Sequence, residues 1–123
     1  MTNTSSYAAE GSDVNAAIGS DYVELTPSFV VNLRDGNQLR FLKVNVQLKL
    51  SANDAREKVM HHDSVIRHSM ILLLSGLEAN SLYSATGKEE LRKQALKEIT
   101  TALMEKIEEP VIKDIYFTNF IIQ

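Results

Sequence analysis

The sequence predicts one α/β domain of the α+β kind: a β-hairpin, two helices and a C-terminal strand, forming one sheet covered by helices. Three observations carry this. Residues 42–50 alternate apolar and polar one by one. Two later stretches repeat apolar side chains at spacings of three, four and seven. The last dozen residues return to β-branched and aromatic types. A period of two marks a strand with one buried face, and a period near 3.6 marks a helix with one buried stripe.

Residues 1–20 are rich in Ser, Thr, Asn, Gly and Ala and have little to bury. They read as a flexible leader or linker remnant, with the folded domain spanning residues 21–123. Residues 22–25 form a short extended piece, and Pro27 suits a strand edge or a bend. Residues 29–33 are β-branched and apolar and predict a strand. Asp35, Gly36 and Asn37 then make a turn, since Gly36 and Asn37 tolerate positive φ. Leu42, Val44, Val46, Leu48 and Leu50 point to a core, while Lys43, Asn45, Gln47 and Lys49 point to water. Strand, tight turn and long strand predict a β-hairpin.

The pattern changes at Ser51, a helix cap with Asp54 three residues on. Val59, Ile66, Met70, Leu73 and Leu77 line one face of the helix that follows, and Gly76 bends or ends it. Leu82 and Tyr83 are expected to cover a core edge inside a loop. The second helix opens on a capping box of Thr86 with Glu89. Its stripe is Leu91, Ala95, Leu96, Ile99, Leu103 and Ile107, and Pro110 stops it. The final strand, residues 111–122, alternates poorly. That fits a central strand covered on both faces, or a strand with one face against another subunit. A strand that ends the chain is also often an edge strand, able to pair with a neighbour.

Composition excludes several classes of function. The chain has 123 residues, no cysteine and a formal net charge of −3. Disulfides, thiolate nucleophiles and Cys-based zinc sites are ruled out. Without a basic excess, nucleic acid is not expected as a partner. No apolar run approaches the ~18 residues of a membrane span. The first residues lack the basic start and apolar centre of a signal peptide.

Three histidines are the strongest candidates for metal chemistry. His61 and His68 share a helix face, but seven residues separate them, about 10.5 Å of rise. Two nitrogens on one zinc must each lie about 2.0–2.1 Å from it. Solvated polar positions fit better, and no metal or other cofactor is expected. Asp63 and Arg67 stand at the i,i+4 spacing of a charge pair. Glu105, Glu108 and Glu109 crowd one helix end as a solvated face. No nucleophile elbow, phosphate loop or dinucleotide fingerprint occurs, so the chain is read as no enzyme.

Three segments then carry a resemblance. The ending Lys113-Asp114-Ile115-Tyr116-Phe117-Thr118-Asn119-Phe120-Ile121-Ile122-Gln123 looks like the K-D-V-Y-F-T-x-F-V-V-Q terminus of the FliL family of flagellar basal-body-associated proteins. Thr86-Gly87-Lys88-Glu89-Glu90-Leu91-Arg92 is similar to that family's T-x-x-G-K-E-x-L-R stretch. Phe29-Val30-Val31-Asn32-Leu33 before Arg40-Phe41-Leu42-Lys43-Val44 resembles its opening hairpin.

The resemblance implies a stomatin-type (SPFH) fold on the periplasmic side of the bacterial inner membrane, at the flagellar basal body. It implies a single-pass membrane protein whose transmembrane helix is absent from this chain. The implied role is a non-catalytic motor accessory. It forms a homo-oligomeric ring around the stator proteins, of MotA/MotB or PomA/PomB type, and stabilises their torque-generating state. Basal-body ring proteins are further partners on this reading. The alternative is a generic stomatin-like membrane-associated scaffold with no motor role. Contact surfaces are expected at Phe29, Val31 and Asn32, at His61 and Arg67, and at Tyr116, Phe117, Asn119 and Phe120.

Overall fold

A computed structural model describes residues 21–52 and 54–123. The leader assigned to residues 1–20 lies outside them. Strands β1 (Tyr22–Asp35) and β2 (Gln38–Leu50) form the hairpin, with Asp35 opposite Gln38. Gly36 takes φ 62°, and Asn37 does not share the positive φ expected of it. Glycine at the first central position suits the turn twist that a two-residue hairpin prefers.

The two short strands expected in the first segment are one. β1 runs through Thr26, Pro27 and Ser28, and its register slips between Leu25 and Phe29. Pro27 is tolerated because β1 is an edge strand, in the order β1-β2-β3, where a missing N–H need cost no ladder bond. On β2 the alternation holds: Leu42, Val44, Val46, Leu48 and Leu50 are all buried. Val23, Leu25, Phe29, Val31 and Leu33 line the same face from β1.

The single helix expected after Ser51 is two. Helix α1 (Ala55–His61) and helix α2 (Asp63–Ser75) break at His62, whose φ is −108° and ψ 28°. Ser51 does not cap α1. Its hydroxyl donates to the Pro110 carbonyl at 2.9 Å, and its N–H donates to the Val111 carbonyl at 3.0 Å. The end of β2 thus spends that serine on tying down the approach to the last strand. Asp54 stands at the helix start without a side-chain cap bond.

A 3-10 turn (Ala79–Leu82) follows, and Leu82 closes the core there, but Tyr83 is exposed instead of covering it. Helix α3 (Ala85–Ile107) is capped by Ser84, whose hydroxyl accepts the Gly87 N–H at 2.9 Å. The capping box assigned to Thr86 and Glu89 is not formed. Thr86 is already inside the first turn, and the Glu89 carboxylate is held by Arg92 at 2.6 Å. Glu108 ends the helix at φ 64°, its N–H donating to the Met104 carbonyl. Pro110 follows that end.

Strand β3 (Ile112–Ile122) lies antiparallel to β2. It is the second edge of the sheet, not a central strand. Among the described residues the result is two layers: a three-stranded antiparallel sheet, and α2 and α3 side by side on one face. Ile66, Met70 and Leu74 from α2 and Leu91, Ala95, Ile99 and Leu103 from α3 are buried between them. Each fully buried Leu or Ile contributes about 1.5–3 kcal/mol of transfer free energy. The other face of the sheet has no layer over it among the described residues.

Candidate functional site

Two segments far apart in the chain meet at the β3 edge. From α3, Arg92 holds Glu89 on one side and Asp114 of β3 on the other. Asp114 accepts the N–H of Ile115 at 2.8 Å, and Arg92 donates to the Ile115 carbonyl at 3.4 Å. Both main-chain groups of Ile115 are therefore engaged by side chains. The planar guanidinium suits this forked task better than an ammonium would. Arg92 also holds the Glu89 carboxyl below the usual carboxylate range. One turn earlier, the Lys88 ammonium lies over the Phe120 ring at 5.2 Å. Burial, and then the neighbouring Asp114 charge, raise the Tyr116 phenol above its ordinary value.

Both sheet edges are blunted. On β3 the register is irregular between Lys43 and Asn45 of its partner, and Asn119 takes φ 52° there. On β1, Pro27 offers no N–H, and Arg34 forms a bridge to Glu78. The Arg34 N–H donates to the Leu77 carbonyl at 3.1 Å. Arg67 reaches across from α2 to the Pro27 carbonyl at 2.9 Å and stacks over the Phe29 ring at 4.1 Å. It therefore serves the backbone and a ring, and not the Asp63 pair that spacing alone suggests. Bulges, proline and occupied main-chain groups are the devices that prevent strand addition.

The open surface is the outer face of the sheet at the hairpin end. Register places Val30, Lys43 and Ile121 in one row across the three strands. Asn32, Phe41 and Gln123 form the next row, with Phe41 and Gln123 exchanging two 2.8 Å main-chain bonds. Leu39 follows opposite Arg34. Phe41 thus stands among Leu39, Val30 and Ile121. Their exposures are 51% for Phe41, 69% for Leu39, 61% for Val30 and 44% for Ile121. Single exposed apolar residues are ordinary, whereas a contiguous group marks a contact surface.

The residues expected at contact surfaces are distributed over three places. Phe29 and Val31 point into the core, so β1 offers Val30 and Asn32 outward in their stead. Tyr116, Phe117 and Phe120 are half-buried on β3, and Asn119 is exposed. The Phe117 and Phe120 rings pack at 6.0 Å, and Tyr116 lies 6.2 Å from Tyr22. His61 is exposed on α1, edge-on to His62 at 5.0 Å. The two border an open depression with Glu57, Lys58, Lys106 and Ile107. Among the described residues, no three His, Asp or Glu side chains gather as a metal site. Sequence reading did not single out Arg92, Asp114 or Phe41. The Glu89–Arg92 spacing signals one pair, but Arg92 meets Asp114 only through the fold.

These features describe a small domain built to present surfaces, and comparison with known proteins says of what kind. A family model described as flagellar basal body-associated protein FliL matches residues 22–123. The flagellar protein FliL of Aquifex aeolicus (strain VF5) is 30% identical over 100 residues. That alignment covers 81% of this chain and 60% of the relative. The domain is thus of the flagellar basal body-associated class. Within that class, the chain belongs to the FliL family. It spans about 60% of the length of the curated relative it matches. No helix among the described residues is long and apolar enough to cross a membrane.

Proposed function

We propose that this domain is a non-catalytic accessory of the flagellar motor, acting at the periplasmic side of the inner membrane. Copies oligomerise into a ring around the stator units and hold them in their torque-generating state. The membrane anchor belongs to a part of the protein outside this chain. The module is read as stomatin-type (SPFH) in fold. The observation that carries the reading is the bare apolar face around Phe41, on a FliL-family domain whose strand edges are both blunted. Such a domain has an association surface and resists strand-by-strand aggregation.

The mechanism is a shift of population. A ring that binds the active stator better than the inactive one moves the equilibrium by its differential affinity alone. Moving it from 1:99 to 99:1 takes about 5.5 kcal/mol, which many weak subunit contacts can share. Membrane tethering supplies the high local concentration that weak contacts need.

In-cell crosslinking tests this directly. The chain has no cysteine, so single substitutions at exposed Asn32, His61 and Thr118 report cleanly. Thr118 is preferred to its neighbour because Asn119 holds a left-handed φ that strains most side chains. A ladder of oligomers, with stator adducts appearing only in cells that make stators, is the expected result. Dimers at most, with no stator adduct from any of the three positions, would refute the ring and favour a generic membrane scaffold.

A further inference from the structure

We infer that copies of this domain contact one another head to tail, with the Phe41 patch of one sheet seated on the α2 surface of the next copy. This rests on the ring reading above and specifies its interface. Besides the sheet patch, α2 bears Leu72, 65% exposed, with exposed Ile71 beside it. Ile66, Met70 and Leu74 point from α2 into the core. At ~100° per residue, Leu72 lies almost opposite their mean direction. The two apolar surfaces therefore stand on opposite faces of a two-layer domain. A contact between unlike surfaces repeats from copy to copy and closes into a ring when the rotation permits.

The sheet patch pairing with its own copy is disfavoured by charge. Exposed Lys43 sits in the row between Val30 and Ile121. A two-fold axis through the patch would bring two Lys43 ammoniums together. The α2 surface around Leu72 carries no Lys, Arg, Asp or Glu, only Ser64, His68, Ile71 and Ser75. It can receive Phe41 and Leu39 while Lys43 keeps its head in water. Edge-to-edge pairing is opposed by the occupied Ile115 groups, the Asn119 irregularity and Pro27.

The area fits a tethered assembly. The four patch side chains expose roughly 400 Å², at the scale of the largest patch a monomer leaves bare. A stable free interface buries about 800 Å² per partner. Untethered domains are therefore expected to stay monomeric, and copies held together at the membrane to associate.

The test places Phe41→Cys and Leu72→Cys on differently tagged full-length copies, co-expressed in cells and treated with a short bis-maleimide. Both positions are exposed, so neither change removes a core contact. The expected result is a mixed Phe41–Leu72 adduct at least tenfold above either single variant alone. A chain carrying both cysteines should give a ladder, and adding Val30→Asp should reduce it at least tenfold. An adduct between two Phe41→Cys copies as strong as the mixed one overturns the head-to-tail pairing. So does the absence of the mixed adduct where a lysine-reactive crosslinker still yields a ladder, and the ring reading then survives. Absence of a ladder with either reagent overturns both.

Discussion

Replacing Gly87 by alanine isolates the close approach on which the α3 cap depends. In an open helix, Gly→Ala is stabilising by about 1 kcal/mol. Here a Cβ would stand 1.6 Å from the Ser81 carbonyl oxygen and 2.8 Å from its carbon. Real Cβ contacts stay above 3.0 Å, so the two backbones must separate by at least 1.4 Å (3.0 − 1.6). The obstacle is main chain and cannot rotate aside. Overpacking of this sort costs about 1–3 kcal/mol, and a backbone clash belongs at the upper end. Separation also breaks the Ser84 cap on the Gly87 N–H, worth about 1 kcal/mol. Less the propensity gain, the net loss is about 3 kcal/mol. Urea denaturation should show the midpoint falling by roughly 1–3 M. Gly76→Ala is the control: nothing lies within 4 Å of its Cβ, and its φ of −99° suits any residue. It should stay within about 0.5 kcal/mol of the parent. A Gly87→Ala protein as stable as the parent would refute the argument.

Three further outcomes are expected. Arg92→Ala should cost about 1–2 kcal/mol in chemical denaturation, because a partly shielded three-group network exceeds an exposed pair. Arg92→Lys should recover less than half, and both variants should show more concentration-dependent self-association by light scattering as the Ile115 carbonyl comes free. Glu89, with its folded carboxyl held low by Arg92, contributes stability present above the ordinary Glu value of ~4.3 and lost as pH falls through the folded value. The hydrogen-exchange protection factors of amides in the first turn of α3, taken relative to intrinsic rates at the same pH, should therefore fall in acid, and Glu89→Gln should remove that dependence. Ile99→Ala, at a fully buried position between α3 and the sheet, should cost about 2–5 kcal/mol by thermal unfolding.

Much of the fold is legible in residue order because its signals are local. Strict alternation from Leu42 to Leu50 identified β2 and its buried face. Helical spacing from Leu91 to Ile107 identified α3, and Gly36 marked the turn. Local competition explains the errors. Ser84 and Thr86 both have hydroxyls able to cap, and the extended backbone at Ser84 decided for the former. His62 breaks a stretch whose apolar period runs on regardless. Pro27 suits a strand edge or a bend, and the edge strand β1 runs through it where two separate pieces were expected.

The site was less legible, since it depends on residues distant in sequence. The family segments around Arg92 and Asp114 were recognised separately, and only folding joins them by an ion pair and a shared hold on Ile115. Phe29 and Val31 drew notice as β-branched and aromatic residues of a strand, yet they face the core; Val30 and Asn32 face out.

Residue order alone carries the periodicities, the turn, the lack of cysteine chemistry and the resemblance to the FliL family. All of these depend on neighbours within a few turns or on short motifs. The central place of β2, the blunting of both edges and the bare face of Val30, Leu39, Phe41 and Ile121 emerge only once the strands and helices are assembled. Strand register and layer packing set those facts, and they arise from contacts between residues up to ~90 positions apart, where no local pattern reaches.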